Sequence, residues 1–189
     1  MRYTPAGPAG AYVIEPEELA DERGFFARIW CAREFEDRGL DSSVAQASVA
    51  YNKRRDTLRG MHYQISPHQE VKIVRCTAGS IFDVIVDLRP DSPTRLQVAH
   101  VVLSAQNRKM LYIPRGFAHG YQTLADDSEV VYQMSEFYTP GSQAGIRWDD
   151  PTLAIPWPEA DGRIISERDR ALPFFRETLL DASVPGGEA

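Results

Sequence analysis

Apolar and polar residues alternate along the middle of the chain, and Gly, Pro, Asn and Ser interrupt the alternation at short intervals. A period of two is typical of half-buried β-strands. Helical periodicity is confined to residues 32–38 and the region near Asp169. This pattern predicts an all-β sandwich or barrel with a few short peripheral helices. Strands are predicted at residues 71–75, 81–88, 96–103, 110–113, 120–123 and 130–138, with a turn at 15–21 and a loop at 89–94.

The chain has the length of one domain. Its 189 residues can bury a substantial core, and they contain no internal repeat, linker or break in composition. We predict a single domain over residues 1–184, followed by a disordered Pro- and Gly-rich tail at residues 185–189.

Charge and composition argue against several classes of protein. A net charge of −6 disfavours a nucleic-acid-binding surface. No stretch approaches the ~20 apolar residues of a membrane helix, and the first residues lack the apolar run of a signal peptide. Cys31 and Cys76 have no metal-ligand spacing and are too few for a disulfide framework. We expect a reduced, cytoplasmic protein that binds neither nucleic acid nor a membrane.

A short motif narrows the fold. Residues 114–119, Pro-Arg-Gly-Phe-Ala-His, match Pro-x-Gly-x-x-His, the second half of the cupin signature, which points the histidine into the mouth of a barrel. A metal-binding cupin also needs His-x-His followed by Glu, whereas this chain has His-Tyr-Gln at residues 62–64, followed by Glu70. Because the amide of Gln64 is a poor ligand for transition metals, we predict no metal in the mouth. A metal-dependent cupin enzyme remains an alternative.

Several longer motifs resemble one family. Residues 58–64 (Leu-Arg-Gly-Met-His-Tyr-Gln) are followed in order by segments 83–89, 92–94, 113–120, 138–140, 146–151 and 166–169, and by Tyr132 within that span. Together they resemble the dTDP-4-dehydrorhamnose 3,5-epimerase family, and the match runs from about residue 21 to residue 173. The resemblance implies a jelly-roll cupin barrel, usually a homodimer, that binds a nucleotide-diphosphate sugar substrate and needs no cofactor.

The resemblance also implies roles for individual residues. His62 would be the base that removes a sugar proton, with Asp169 paired to its imidazole. Tyr132 would return a proton on the other face, and Lys72 would lie beside the developing enolate. The positions around the substrate would be Arg23 and Arg59 at the diphosphate, Tyr138 stacked on the base, His119 in the sugar site, and Gln46, Ser48 and Gln143 around the nucleotide and sugar.

These residue types suit inversion of a carbon next to a ketone. The ketone delocalises the carbanion as an enolate, so the reaction needs a base on one face, an acid on the other and a positive charge near the oxygen. We predict an epimerase that inverts C3, C5 or both in a dTDP-4-keto-6-deoxyhexose. The alternatives are a single-centre epimerase acting on a variant nucleotide sugar, a metal-dependent cupin enzyme and a non-catalytic sugar-binding cupin.

Strand geometry adds two expectations. Tyr132 and Tyr138 are six residues apart, so on one regular strand they would face the same way. Arg59 and His62 are three apart and would face opposite ways, which predicts either a β-bulge near Gly60 or a contact that Arg59 makes from the start of the strand.

The chain departs from the family pattern around the expected ligand. Arg28 and Gln143 stand where glutamate is usual, and Ser48 stands where asparagine is common. A change from Glu to Arg reverses a charge and alters which groups can bind there. The proposed acid–base residues are intact, so the departures concern the identity of the ligand and the number of centres inverted.

Overall fold

The computed structural model describes residues 1–176. Most of the predicted domain falls in this range, whereas the tail predicted at residues 185–189 lies outside it. Within the described residues, the helices are α1 (Ala32–Glu36) and α2 (Glu167–Arg170). The strands are β1 (Arg2–Pro5), β2 (Tyr12–Glu15), β3 (Glu18–Asp21), β4 (Gly24–Ala27), β5 (Gln46–Asn52), β6 (Leu58–Gln64), β7 (Lys72–Ala78), β8 (Ser80–Asp87), β9 (Val98–Ser104), β10 (Met110–Ile113), β11 (Phe117–Thr123), β12 (Ser128–Met134) and β13 (Gln143–Gly145).

Two antiparallel sheets form a sandwich. One has the strand order β1-β2-β10-β7-β12-β5 and the other β13-β6-β11-β8-β9, while β3 and β4 form a separate hairpin. Side chains from both sheets meet in one core cluster that includes Val74, Leu111 and Val130 from the first sheet and Ile85 and Leu103 from the second. Each such side chain contributes roughly 1.5–3 kcal/mol by leaving water, so this layer holds the sheets face to face. The all-β prediction is confirmed.

Most predicted elements are present, with shifted ends. The strand at 110–113 and both short helices are confirmed, and the strands predicted at 71–75, 81–88, 96–103 and 120–123 correspond to β7, β8, β9 and β11. The turn predicted at 15–21 is wrong, because β2 ends at Glu15 and β3 begins at Glu18. The four-residue strand β3 is exposed along its whole length and therefore shows no alternation of buried apolar and exposed polar residues.

The strand predicted at residues 130–138 is too long. β12 ends at Met134, so Tyr132 and Tyr138 do not share a strand and the expectation based on strand parity is wrong. The N–H of Ser135 still donates to the carbonyl of Val71, but further along the backbone bonds to side chains. The N–H of Tyr138 donates to Gln46, and Gln64 bonds the backbone on either side of Tyr138. These contacts turn the chain out of the sheet.

The predicted bulge near Gly60 is confirmed. In the β6–β11 pairing, His62 lies opposite His119 and Arg59 lies opposite Tyr121, so three steps along β6 match two along β11. Gly60 has φ 128°, and a Cβ atom there would lie 2.5 Å from the Cα atom of Gly120. The bulge allows the side chains of both Arg59 and His62 to line one pocket.

One buried carboxylate holds the loop after β8. Asp87 has no exposed surface and accepts hydrogen bonds from Arg89 Nε at 2.9 Å, Ser92 Oγ at 2.5 Å and Thr94 Oγ1 at 2.8 Å. Burial alone would raise the pKa of Asp87, but these hydrogen bonds outweigh burial and lower it. The Arg89 guanidinium lies 4.8 Å from the centre of the Phe117 ring, so this loop is tied to the start of β11.

Asp87→Asn is expected to lower the free energy of unfolding by about 2–3 kcal/mol at neutral pH, because the partly buried Arg89 loses its counter-charge. A carboxylate with a lowered folded pKa stabilises the protein above its unfolded pKa of about 3.9 and loses that contribution as the pH falls through the folded value. Urea unfolding at pH 7 and pH 3 should therefore show a smaller acid-induced loss in the variant. Asp149→Asn, which removes a more exposed partner from Arg147, is the control. Equal losses in the two variants would contradict the role of Asp87.

Candidate active site

A pocket of about 360 Å³ opens between the two sheets. Strands β6 and β11 of the five-stranded sheet line one wall, and strands β5, β7 and β12 of the six-stranded sheet line the opposite wall. The segment around α2 closes one side. The pocket brings together His62, Lys72, Tyr132, Asp169, Arg59, His119, Tyr138 and Gln143, all of which were predicted from the sequence.

His62 and Asp169 form a pair in this pocket. The Nε2 atom of His62 lies 2.7 Å from Oδ1 of Asp169, whose side chain is nearly fully buried. Ser166 caps helix α2 by accepting the backbone N–H of Asp169, and the N–H of Gly60 donates to the other carboxylate oxygen. Burial would raise the pKa of Asp169, but the hydrogen bonds from His62 and Gly60 lower it. Asp169 therefore stays ionised at neutral pH and can hold one imidazole tautomer.

Tyr132 lies on the opposite wall, on β12. Its ring centre lies 6.1 Å from that of His119, in an edge-on arrangement. Burial raises the pKa of Tyr132 well above the ordinary tyrosine value, and the neighbouring Tyr121 raises this pKa further. The hydroxyl thus remains protonated at neutral pH, which is the state a proton donor needs.

A second histidine–carboxylate pair lies in the five-stranded sheet, where His119 of β11 lines the pocket and Asp83 lies on the neighbouring strand β8. His119 Nε2 is 2.7 Å from Oδ1 of Asp83, and both side chains are buried. Burial raises the pKa of Asp83, while the contact with His119 opposes that rise. Asp83 was not among the residues predicted from the sequence, although a signal was present: a carboxylate inside the apolar strand β8 requires a polar partner.

Lys72 is held by a carboxylate that the sequence-based analysis did not assign. Its Nζ atom lies 2.5 Å from Oε1 of Glu70, and both side chains line the pocket. The amide of Gln64 donates to the other oxygen of Glu70 at 3.3 Å and to the carbonyl of His68 at 3.0 Å. Gln64 stands where the cupin signature has a metal ligand. Through its bonds to residues 68 and 70, and to the backbone of residues 137 and 139, it joins the loop after β6 to the loop after β12.

Within residues 1–176, no three His, Cys, Asp or Glu side chains are grouped as metal ligands. No helix in this part of the chain is long and apolar enough to cross a membrane.

Two arginines at the edge of the pocket are held by amide oxygens. Arg59 Nε donates to Oδ1 of Asn52 at 2.8 Å, and Arg168 Nη2 donates to Oε1 of Gln143. Tyr138 also donates to Oε1 of Gln143, at 3.3 Å. Arg168 was missed in the sequence-based analysis because its neighbours, all charged, resemble an exposed turn.

Three predicted substrate-binding residues do not line this pocket. Arg23 lies in the turn of the β3–β4 hairpin, where its side chain is 85% exposed and paired with Asp21. Gln46 bonds the backbone of Tyr138 instead of facing the pocket. Ser48 lies opposite Tyr132 in the β5–β12 pairing, and its neighbour on that face, Ala50, lines the pocket instead. Arg28, a departure from the family pattern, pairs with Glu34 on α1.

Comparison with known proteins points to one family. A sequence model of the dTDP-4-dehydrorhamnose 3,5-epimerase family matches residues 8–177. The dTDP-4-dehydrorhamnose 3,5-epimerase of Methanothermobacter thermautotrophicus is 42% identical over 179 residues, which cover 94% of this chain and 96% of the relative. The Bacillus anthracis enzyme, crystallised with TDP and PPi bound, has a TM-score of 0.84 and 40% identity, covering 88% of this chain and 94% of that one. ChmJ, a 3′-monoepimerase of Streptomyces bikiniensis crystallised with dTDP-quinovose, has a TM-score of 0.83 and 33% identity. The match covers 90% of this chain and 86% of ChmJ.

Proposed function

Because the chain belongs to the dTDP-4-dehydrorhamnose 3,5-epimerase family, and is an isomerase, we propose that it inverts C3, C5 or both in a dTDP-4-keto-6-deoxyhexose. One observation carries the mechanism: His62 and Tyr132 line the same pocket from opposite sheets. Inversion requires that a proton leave one face of the carbon and another arrive on the opposite face. A base on one wall and a protonated phenol on the other meet that requirement.

The steps follow from the contacts in the pocket. His62 takes the proton next to the ketone, and the ionised carboxylate of Asp169 stabilises the imidazolium that forms. The electron pair moves onto the ketone oxygen, giving an enolate near the ammonium group of Lys72. Tyr132 then delivers its hydroxyl proton to the opposite face of the same carbon, and the ketone re-forms. The imidazolium of His62 releases its proton to solvent and the phenolate takes one up, which returns both groups to their starting states.

The edge of the pocket suits the nucleotide end of the substrate. Arg59 and Arg168 offer two positive charges to a diphosphate that carries about two negative charges. Tyr138 is 54% exposed beside them, so its ring is available to stack on a base. The same residues would hold the substrate so that its sugar reaches His62 and Tyr132.

A single-centre epimerase is the second candidate. The similarity to a 3′-monoepimerase shows that this fold also occurs in an enzyme named for inversion of one centre. Of the two departures from the family pattern, Gln143 lines the pocket and Arg28 does not, and neither changes the proposed acid–base set.

The test is direct. Purified protein treated with a chelator is mixed with dTDP-4-keto-6-deoxyglucose, and NMR then reports the configuration of the product at C3 and C5. Inversion at both carbons supports a 3,5-epimerase, and inversion at one selects the narrower enzyme. Loss of activity on chelation would favour a metal-dependent enzyme. Folded protein that binds dTDP but forms no product would favour a sugar-binding protein.

We further propose that two copies of the chain form a homodimer through the β3–β4 hairpin and the edge strand β5. The hairpin exposes Leu19 and Phe26 at 70% each, and β5 exposes Val49 at 62%. An apolar arm and an unpaired strand edge favour association with another chain. Arg23 lies at the tip of this arm, outside its own pocket, so a contact with the diphosphate would have to come from a second copy.

Phe26→Asp is expected to shift the protein from dimer to monomer at micromolar concentration, because it places a charge on the apolar arm. Light scattering coupled to size-exclusion chromatography measures the mass. Val102→Asp places the same charge on a partly exposed valine of β9, in the other sheet, and is expected to leave the dimer intact. A monomeric wild-type protein, or a dimeric Phe26→Asp variant, would exclude the hairpin as the contact.

A further inference from the structure

The basic side chains of the pocket have two kinds of partner. His62, His119 and Lys72 are each held by a carboxylate. Arg59 and Arg168 are held by the amide oxygens of Asn52 and Gln143, and within residues 1–176 neither guanidinium has a carboxylate at ion-pair distance. His62, His119 and Lys72 lie within the pocket, whereas Arg59 and Arg168 are exposed at its edge.

The kind of partner decides how much charge is available to a ligand. A carboxylate orients a guanidinium and also cancels its charge, while an amide oxygen orients it and leaves the full charge. A bound anion then does not have to displace a competing carboxylate. Two arginines held in this way make a site for a dianion, in a chain whose net charge is −6.

We propose that Gln143 is a specificity-determining residue whose neutral amide holds Arg168 at the pocket edge and leaves its charge free for a diphosphate. The inference rests on the proposed function only in identifying the diphosphate as part of a nucleotide sugar. Gln143 also accepts the Tyr138 hydroxyl, so one amide oxygen contacts both the cation and the exposed aromatic ring.

A substitution at Gln143 tests this proposal better than one at Asn52. The amide nitrogen of Asn52 donates to the carbonyls of Ala50 and Ser128, at 3.3 Å and 3.1 Å. A carboxylate in place of Asn52 would lose both bonds and disturb β5. Gln143→Glu keeps the size of the side chain and its acceptor oxygen and changes only the charge.

The experiment measures the Kd of inorganic pyrophosphate and of dTDP by calorimetry, at low and at physiological salt. Gln143→Glu is expected to raise both Kd values about 5- to 10-fold at low salt and to weaken their salt dependence, because the carboxylate pairs with Arg168. Arg168→Met is expected to have a similar effect. Gln143→Met, which removes the oxygen without adding charge, is expected to raise Kd only about twofold and to keep the salt dependence.

Gln106→Glu adds the same charge to an exposed turn outside the pocket and is expected to change neither Kd. Unchanged or tighter pyrophosphate binding by Gln143→Glu would overturn the inference, as would equal effects of Gln143→Met and Gln143→Glu. Pyrophosphate carries neither nucleoside nor sugar, so this result is independent of whether the protein epimerises any substrate.

Discussion

His62→Ala is expected to lower kcat by roughly 10²–10⁴-fold, the range typical of a general base. The variant removes the imidazole that Asp169 holds and leaves the arginines at the pocket edge in place. The Kd for dTDP should therefore change by less than about threefold. Stopped assays with the 4-keto sugar measure turnover, and deuterium exchange in D₂O measures proton removal, which should fall in parallel.

His100→Ala is the matched control for this prediction. His100 is exposed on β9 and stacks on Phe82, outside the pocket. Its removal should leave both turnover and exchange at the wild-type rate. If His62→Ala exchanged protons as fast as the wild type, another group would have to be the base.

Tyr132→Phe is expected to separate proton removal from inversion. The base on the β6 wall remains, so the substrate should still exchange hydrogen for deuterium with retention of configuration. Formation of the inverted product should fall by about 10²-fold or more, because the opposite wall no longer offers a proton. The ratio of exchange to inversion, followed by NMR, is the informative quantity, since a general loss of structure would lower both rates together.

Tyr112→Phe removes a buried phenol hydroxyl that accepts a hydrogen bond from the backbone of Asp41, away from the pocket. A comparable small loss of stability is expected from both tyrosine variants, of about 1 kcal/mol. Only Tyr132→Phe should alter the ratio of exchange to inversion. Full inversion by Tyr132→Phe would show that the proton comes from another group.

The alternation of apolar residues predicted β7 to β12, which supply most of the core cluster between the sheets, but it did not predict the shorter or more exposed strands β1, β2, β4, β5 and β13. It did not find β3, which is exposed throughout, since no period-two signal exists without a buried face. The alternation also did not predict that β12 ends at Met134. The side chains of Gln46 and Gln64, distant in sequence, decide where that strand stops by bonding the backbone near Tyr138.

The site was predictable where a motif marked it. Resemblance brought out His62, Tyr132, Lys72 and Asp169, which the pocket brings together. The partners of those residues were harder to find, because their roles depend on contacts between distant segments. Glu70 shows this, as it becomes notable only through its contact with Lys72. Arg23 lies on the exposed β3–β4 hairpin, outside the pocket, so its predicted contact with the diphosphate depends on the proposed homodimer.

The origin of the hydrogen at each inverted carbon tests the two-wall mechanism most directly. Wild-type protein is incubated with protiated 4-keto substrate in D₂O, and the first product formed is analysed by NMR. If His62 removes one proton and Tyr132 supplies another, each inverted carbon of that product carries solvent deuterium. Product that retains substrate hydrogen at an inverted carbon would mean that a single group removes and returns the proton, which would contradict the mechanism.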